Sequence, residues 1–198
     1  MKNVTILQSH DRPYLHDRII GYLLLWMFPK FVRPNHITIF RMLATPAVFW
    51  LIMTENWSWG FAAFVLVAMT DALDGSMARL RGQITAWGTL FDPLADKVLI
   101  GGTLFIFIWK YIDMYIGGAV ILLELIVIAA GILNVKKGLV FSANKFGKAK
   151  MLLQCLGVGL IIFSLVIKSQ NMMIVAEWTL VLSIGFAMVN IFNKDISL

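Results

Sequence analysis

The chain has 198 residues, of which 60% are hydrophobic and 14% are charged, and its formal net charge is +6 at pH 7. An average soluble domain carries roughly 25% charged residues, so this composition excludes an ordinary water-soluble protein and favours a membrane-embedded helical bundle. The single cysteine, Cys155, excludes an internal disulfide framework and a cysteine-based zinc site.

The N-terminal region is polar up to about Pro13 and lacks the pattern of a signal peptide, so we expect insertion to use internal helices. Residues 14–28 combine apolar side chains with charged and polar ones at 16–18. This pattern predicts an amphipathic helix that lies in the membrane interface. Pro29 and Pro34 would end that helix before the first membrane span.

Six apolar segments approach the roughly 20 residues that a helix needs to cross a bilayer. They are residues 35–54, 58–78, 88–109, 114–135, 149–167 and 173–192. We therefore predict an all-α integral membrane fold that forms a single domain over residues 1–198. Its parts would be a cytoplasmic N-terminus with the interfacial helix (1–34) and a six-helix bundle (35–192).

The basic residues predict the orientation of this bundle. With the N-terminus in the cytoplasm, 15 of the 17 lysines and arginines lie on the cytoplasmic side, and only Lys110 and Lys168 lie outside. The positive-inside rule thus places both termini and the loop between spans two and three in the cytoplasm, as expected for a bacterial or archaeal cell membrane. Anionic headgroups and phosphate substrates are nearer partners for this charge than nucleic acid.

Four aspartates lie at the end of span two and the start of span three. Asp71 and Asp74 are three residues apart, and Asp92 and Asp96 are four apart, so each pair shares one helix face. Charges inside a membrane need a partner or a function, and four clustered carboxylates repel one another unless cations neutralise them. Oxygen-only ligands predict Mg²⁺ or Mn²⁺, whereas zinc would be expected to recruit histidine or cysteine.

Small residues lie between these aspartates. Gly75, Ala78 and Gly88 serve close helix packing, or they let a phosphate approach the metals. Their position among four aspartates and Arg79 favours the second interpretation.

Residues 71–96 resemble the signature of the CDP-alcohol phosphotransferases, D-x2-D-G-x2-A-R-x8-G-x3-D-x3-D, at every fixed position and spacing. The six-span plan with an interfacial helix extends the resemblance over most of the chain. Members displace CMP from a CDP-linked lipid or alcohol by the hydroxyl group of a second substrate. The resemblance implies that Asp71, Asp74 and Asp92 hold two metal ions, with Asp96 as a further ligand and the general base.

The same resemblance implies a site for the CDP-lipid, such as CDP-diacylglycerol. Arg79 would clamp the diphosphate because its guanidinium group is planar and always charged. The family's nucleotide contacts match Gly75, Ala78, Arg79, Thr85 and Gly88, and a shorter similar segment contains Arg33, Pro34, Asn35, His36 and Thr38. Asn35 and Thr38 are also residue types that begin a helix, so the role of this segment stays open.

The second substrate is less well marked. Lys145, Lys148, Lys150 and Gln154 are similar to a G-K-x-K-T-x-x-Q stretch of phosphatidylglycerophosphate synthases, whose acceptor is glycerol 3-phosphate. Met151 replaces the usual threonine, and Leu123 precedes Glu124 where arginine is usual. The three lysines therefore either bind the acceptor or only set the topology, and the sequence offers Glu124 no obvious partner.

Two other classes fit some of these features. A divalent-cation transporter also uses membrane acids, but it needs polar residues along a path, and here the aspartates lie at one end. An intramembrane prenyltransferase uses aspartate pairs and Mg²⁺, but on separate helix pairs of a larger bundle. The family resemblance also implies a homodimer.

Overall fold

The computed structural model describes the backbone of residues 34–81, 86–136 and 145–195. It describes side-chain surroundings for residues 35–71, 77, 94–127, 129 and 146–190. Within the described backbone there are six helices. They are α1 (Pro34–Met53), α2 (Trp57–Arg81), α3 (Ala86–Ile108), α4 (Met114–Lys136), α5 (Lys145–Ile167) and α6 (Gln170–Asp195). The predicted interfacial helix at 14–28 lies outside the described residues.

Each helix overlaps one of the six apolar segments, which confirms the all-α prediction for the described chain. Three helices are long and apolar enough to cross a membrane, over Asn35–Met53, Phe146–Ile167 and Gln170–Asn190. These helices agree with a membrane protein. The count of six spans stays a prediction.

Two of the helices end at residues with left-handed backbone conformation. Glu55 follows α1 with φ 58°, and Lys168 follows α5 with φ 52°. After α1, the Asn56 N–H donates back to the Leu51 carbonyl oxygen at 2.9 Å. This bond satisfies a carbonyl group that the helix end would leave unpaired.

Side-chain oxygens cap the first turns of two helices, α4 and α6. Asp113 Oδ1 accepts hydrogen bonds from the N–H groups of Tyr115 (2.8 Å) and Ile116 (3.2 Å) at the start of α4. Ser169 Oγ accepts a hydrogen bond from Met172 N–H at 3.4 Å at the start of α6. The polar residues between the apolar segments therefore determine where these helices begin.

The chain divides into two compact units. Among the described residues, the first unit contains 34–46, 66–81 and 86–96, and the second contains 47–65, 97–136 and 145–195. In the second unit, α6 buries a stripe of residues spaced three and four apart. These are Met173, Ala176, Leu180, Ser183, Ala187 and Asn190. The spacing places them on one helix face.

Helix α5 packs closely against this stripe of α6. A Cβ atom added to Gly157 would lie 2.7 Å from Leu180 Cδ2, closer than atoms can pack. A larger side chain at position 157 would displace the Leu180 side chain, so glycine favours the close packing of the two helices here, as is common for helices within membranes. The opposite side of α6 exposes large apolar groups such as Trp178 and Leu182.

Candidate functional site

An arginine lies between two of the predicted site aspartates in the first unit. Arg41 Nη1 donates a hydrogen bond to Asp71 Oδ1 at 2.6 Å. The same nitrogen lies 3.9 Å from Asp96 Oδ1. The structure therefore brings Asp71 of α2 and Asp96 of α3 together around one cation from α1.

Burial makes this arrangement electrostatically strong. The side chain of Arg41 is 0% exposed, that of Asp96 is 12% exposed and that of Asp71 is 44% exposed. A buried charge without a partner is costly, and opposite charges attract more strongly where water is excluded. Arg41 thus compensates part of the negative charge, but these three side chains still carry a net negative charge when ionised.

The local sequence of α1 explains why an arginine can point inward. Ile37, Thr38, Arg41 and Thr45 are all buried, and their spacing places them on one helix face. The hydroxyl group of Thr45 donates to the Arg41 carbonyl oxygen at 2.8 Å. This internal bond satisfies the threonine on an otherwise buried face.

The other two aspartates lie on the same helices as their partners. Asp74 is on α2 and Asp92 is on α3, but their side-chain surroundings lie outside the described residues. Among the described side chains, no group of three or more histidine, cysteine, aspartate or glutamate residues comes together. The predicted four-carboxylate set therefore stays a prediction, of which the structure shows the convergence of Asp71 and Asp96.

The donor chemistry of the described part fits a hard divalent cation. Asp71 and Asp96 offer carboxylate oxygens, the ligand type that Mg²⁺ and Mn²⁺ prefer. One guanidinium group cannot neutralise two carboxylates. The two carboxylates can therefore hold a divalent metal ion, alone or bound to phosphate, while Arg41 fixes their positions.

The predicted CDP-lipid residues are only partly described. Pro34 begins α1, Thr38 is buried on that helix, and Asn35 and His36 are at least partly accessible. Gly75, Ala78 and Arg79 lie on α2 and Gly88 lies on α3, where their side-chain surroundings lie outside the described residues. Arg33 and Thr85 lie outside the described backbone. Their nucleotide contacts stay predictions.

The second unit contains a buried ion pair that the sequence did not reveal. Lys150 Nζ of α5 lies 2.5 Å from Glu124 Oε1 of α4, and the two side chains are 4% and 17% exposed. Lys148, two residues earlier, is exposed, and Lys145 lies in the first turn of α5. Glu124 thus has a partner, and the three predicted acceptor lysines differ in their surroundings.

A third described ion pair joins the segment after α1 to the segment after α3, at the predicted outer ends of the spans. Lys110 bonds to Glu55 Oε1, and the Tyr111 hydroxyl group donates to the same oxygen at 3.1 Å. The Lys110 hydrogen bond, reinforced by that of Tyr111, lowers the pKa of Glu55 from its usual 4.5. The same bond to Glu55 is the largest cause that raises the pKa of Lys110 above 10.5.

Sequence reasoning missed the role of Arg41. It counted Arg41 only among the basic residues of the cytoplasmic side, although the residue lies inside the first predicted span. A charge inside a span requires a partner, and the aspartates at the ends of the next two spans were the available anions. This requirement was the signal that could have identified the contact.

Comparisons with known proteins show several relatives of this chain. A protein from Rickettsia typhi named CDP-diacylglycerol--glycerol-3-phosphate 3-phosphatidyltransferase is 39% identical over 71 residues, covering 34% of this chain and 40% of the relative. A protein of the same name from Pseudomonas fluorescens is 34% identical over 103 residues, covering 49% and 52%. A probable cardiolipin synthase (CMP-forming) from Drosophila melanogaster is 29% identical over 100 residues, covering 50% and 31%.

These matches cover about half or less of each relative's length. The family comparison extends further, since the sequence model of the CDP-alcohol phosphatidyltransferases matches residues 31–189, including α1 with Arg41 and both aspartate pairs. The chain therefore belongs to the CDP-alcohol phosphatidyltransferase family.

Proposed function

We propose that this protein transfers a phosphatidyl group from a CDP-linked lipid such as CDP-diacylglycerol to a hydroxyl acceptor, with release of CMP. The observation that carries the proposal is the convergence of Asp71 and Asp96 on the buried Arg41. The family membership and the names of the relatives support the same reaction class. They favour it over the transporter and prenyltransferase alternatives.

Metal ions are part of this proposal. Asp71, Asp74, Asp92 and Asp96 would hold Mg²⁺ or Mn²⁺, with two ions expected from the family resemblance. When bound, the ions would neutralise phosphate charge and stabilise the entering and leaving oxygens. The aspartates of this chain would hold them from two helices, while Arg41 keeps Asp71 and Asp96 in place.

The acceptor's proton needs a base close to the phosphate. The new bond joins the acceptor oxygen to phosphorus, the bond from phosphorus to the CMP oxygen breaks, and the acceptor loses a proton. Asp96 is our candidate for that base, because the family resemblance gives it this role and it is the less exposed of the two described aspartates. Arg79 would bind the diphosphate of the CDP-lipid, with Gly75, Ala78 and Gly88 leaving room for it.

Glycerol 3-phosphate is the acceptor that we propose. Seven relatives carry that acceptor in their names. Lys145 and Lys148, in the first turns of α5, supply positive charge for the acceptor's phosphate. The reaction would take place at the cytoplasmic face of a cell membrane, in phospholipid synthesis, and we expect the protein to act as a homodimer.

The test is CMP release by the purified protein in detergent with CDP-diacylglycerol and separate acceptors. The panel contains glycerol 3-phosphate, inositol phosphate, inositol and serine, and the lipid products are identified, cardiolipin included. We expect release with glycerol 3-phosphate and Mg²⁺ or Mn²⁺, and none in excess chelator.

Two results would overturn parts of this proposal separately. Full CMP release in excess chelator would remove the metal from the mechanism. Release that requires inositol or serine, and not glycerol 3-phosphate, would leave the reaction class intact and replace the acceptor. A matched sample with every component except the acceptor measures hydrolysis of the CDP-lipid by water.

A further inference from the structure

We propose that the buried Lys150–Glu124 pair is a positioning device, which fixes the first turns of α5 and so presents Lys148 to the acceptor. On this proposal Lys150 does not bind the acceptor itself. The inference rests on the proposed function for its acceptor, but the pair itself is observed in the structure.

Helix geometry separates the two lysines. Residues two apart on an α-helix point about 200° apart, since each residue turns the helix by about 100°. Lys148 is exposed, whereas Lys150 is 3% exposed. The two ammonium groups therefore lie in different surroundings. Their presence in one sequence motif does not mean that they have the same role.

The partner of Lys150 argues against an anionic ligand at this lysine. The Glu124 carboxylate already lies 2.5 Å from the ammonium group. A phosphate placed on the same ammonium group would lie close to that carboxylate, and like charges in a buried site repel strongly. The pair is electrically neutral, which is the state that a buried site tolerates best.

Glu124 in turn depends on Lys150. Both carboxylate oxygens are buried, and neither accepts a well-formed hydrogen bond from another residue in the described part of the chain. Loss of Lys150 would thus leave a buried carboxylate with no cation beside it among these residues. Removing one member of such a pair is far more damaging than replacing both with apolar groups.

Helix α6 lies against the same turns of α5. A Cβ atom added to Gly147 would lie 3.6 Å from Asn190 Nδ2, so the Asn190 side chain lies beside Gly147. Gly147 and Lys150 are three residues apart and share one face of α5. Glu124 from α4 and Asn190 from α6 therefore meet adjacent positions on this face, and Lys148 lies on another side of the helix.

The experiment compares Lys150→Met, Glu124→Leu and the double variant that carries both changes. Each single variant should lower the apparent Tm by about 5 °C or more. Each should also lower kcat/KM for glycerol 3-phosphate by about tenfold or more. The double variant has no charge at the position of this pair, so both values should return close to the wild type, with kcat/KM within about threefold.

Two matched variants separate positioning from ligand binding. Lys148→Met should raise the acceptor KM by about tenfold with a smaller loss of Tm than Lys150→Met causes, and Glu124→Leu should not rescue it. Lys168→Met removes an exposed lysine just beyond the other end of α5 and should change neither value.

The double variant decides the proposal even where a single variant does not fold. If its acceptor KM stays raised by about tenfold or more while its Tm is normal, Lys150 binds the acceptor and the proposal is wrong. If its Tm does not recover, the pair is not a replaceable positioning device. If the wild type releases no CMP with glycerol 3-phosphate, the proposed acceptor is wrong. The role of the pair is then decided by the Tm values and by the same kinetic comparison with the acceptor that the wild type does use.

Discussion

Two ion clusters in the described part of this protein differ in their charge balance. In the first unit, one guanidinium group meets two carboxylates, and two more aspartates lie on the same two helices. In the second unit, one ammonium group meets one carboxylate. The three described side chains of the first cluster carry a net negative charge when ionised, whereas the pair in the second carries none.

This difference separates a site that can take up a ligand from one that cannot. A balanced buried pair has little to gain from a further ion, because its own charges already satisfy each other. A cluster with excess negative charge becomes more stable when cations bind, since the carboxylates otherwise repel. Burial alone therefore does not distinguish these two clusters, whereas their charge balance does.

The aspartate cluster is where a single substitution should have the largest effect. Asp96→Asn keeps the size and one coordinating oxygen but cannot take the acceptor's proton, so turnover should fall by about 10² or more. Binding of the CDP-lipid should survive. Asp71→Asn retains an oxygen for Arg41 but removes a metal-binding charge, and should weaken metal and nucleotide binding together.

Metal titrations of CMP release, combined with CDP-lipid binding, distinguish these two variants. Near-normal turnover of Asp96→Asn at saturating metal and substrates would mean that another group is the base. Asp113→Asn is a matched control, because this aspartate caps α4 in the second unit, outside the cluster. It should leave turnover and the metal requirement unchanged.

The arginine should have the next largest effect, of a different kind. Arg41→Met removes the group that holds Asp71 and Asp96, so kcat should fall by about tenfold. The metal concentration needed for half-maximal activity should not rise, because the substitution removes a positive charge that repels cations. This result would distinguish Arg41 from the aspartates, which we propose bind the metal directly.

Thermal unfolding with and without metal tests the same substitution independently of activity. Without metal, Arg41→Met removes a cation beside Asp71 and Asp96, so its apparent Tm should fall further below the wild type in chelator than in Mg²⁺. Arg41→Lys retains the charge without the planar geometry and should recover part of the loss. An equal loss of Tm in chelator and in Mg²⁺ would contradict the charge-compensating role.

The sequence predicted the helices well because their signal is local. Apolar segments of sufficient length gave all six helices, and the predicted 35–54 agrees closely with Pro34–Met53. The prediction began the fifth span at residue 149, whereas α5 begins at Lys145. The first turn of α5 is polar, so a criterion based on apolar length excluded it.

The ion pairs could not be predicted in the same way. Arg41 and Asp71 are 30 residues apart in the chain, and only packing decides which charged side chains of different helices meet. The rule that a charge inside a membrane needs a partner identified Asp71 and Asp96 as unusual. It did not say that Arg41 would compensate them, or that Glu124 would pair with Lys150.

The exposed Glu55–Lys110 pair should show the smallest effect and completes the comparison. It has the same charges as Lys150–Glu124, but both partners are exposed and water screens them. Glu55→Gln should therefore leave turnover unchanged and lower the apparent Tm by no more than about 2 °C.

The pH dependence of that small difference follows from the pKa shifts. The pKa of Glu55 is lowered from 4.5, so its contribution is present above about pH 4.5 and is lost as the pH falls through the lower folded value. The pKa of Lys110 is raised from 10.5, so its contribution is present below about pH 10.5 and is lost as the pH rises through the higher folded value. Thermal unfolding of the wild type and Glu55→Gln should differ between these limits and converge beyond them. If Glu55→Gln lowered the Tm as much as Lys150→Met does, exposure to water would not explain the difference between the two pairs. That difference would then need another physical basis.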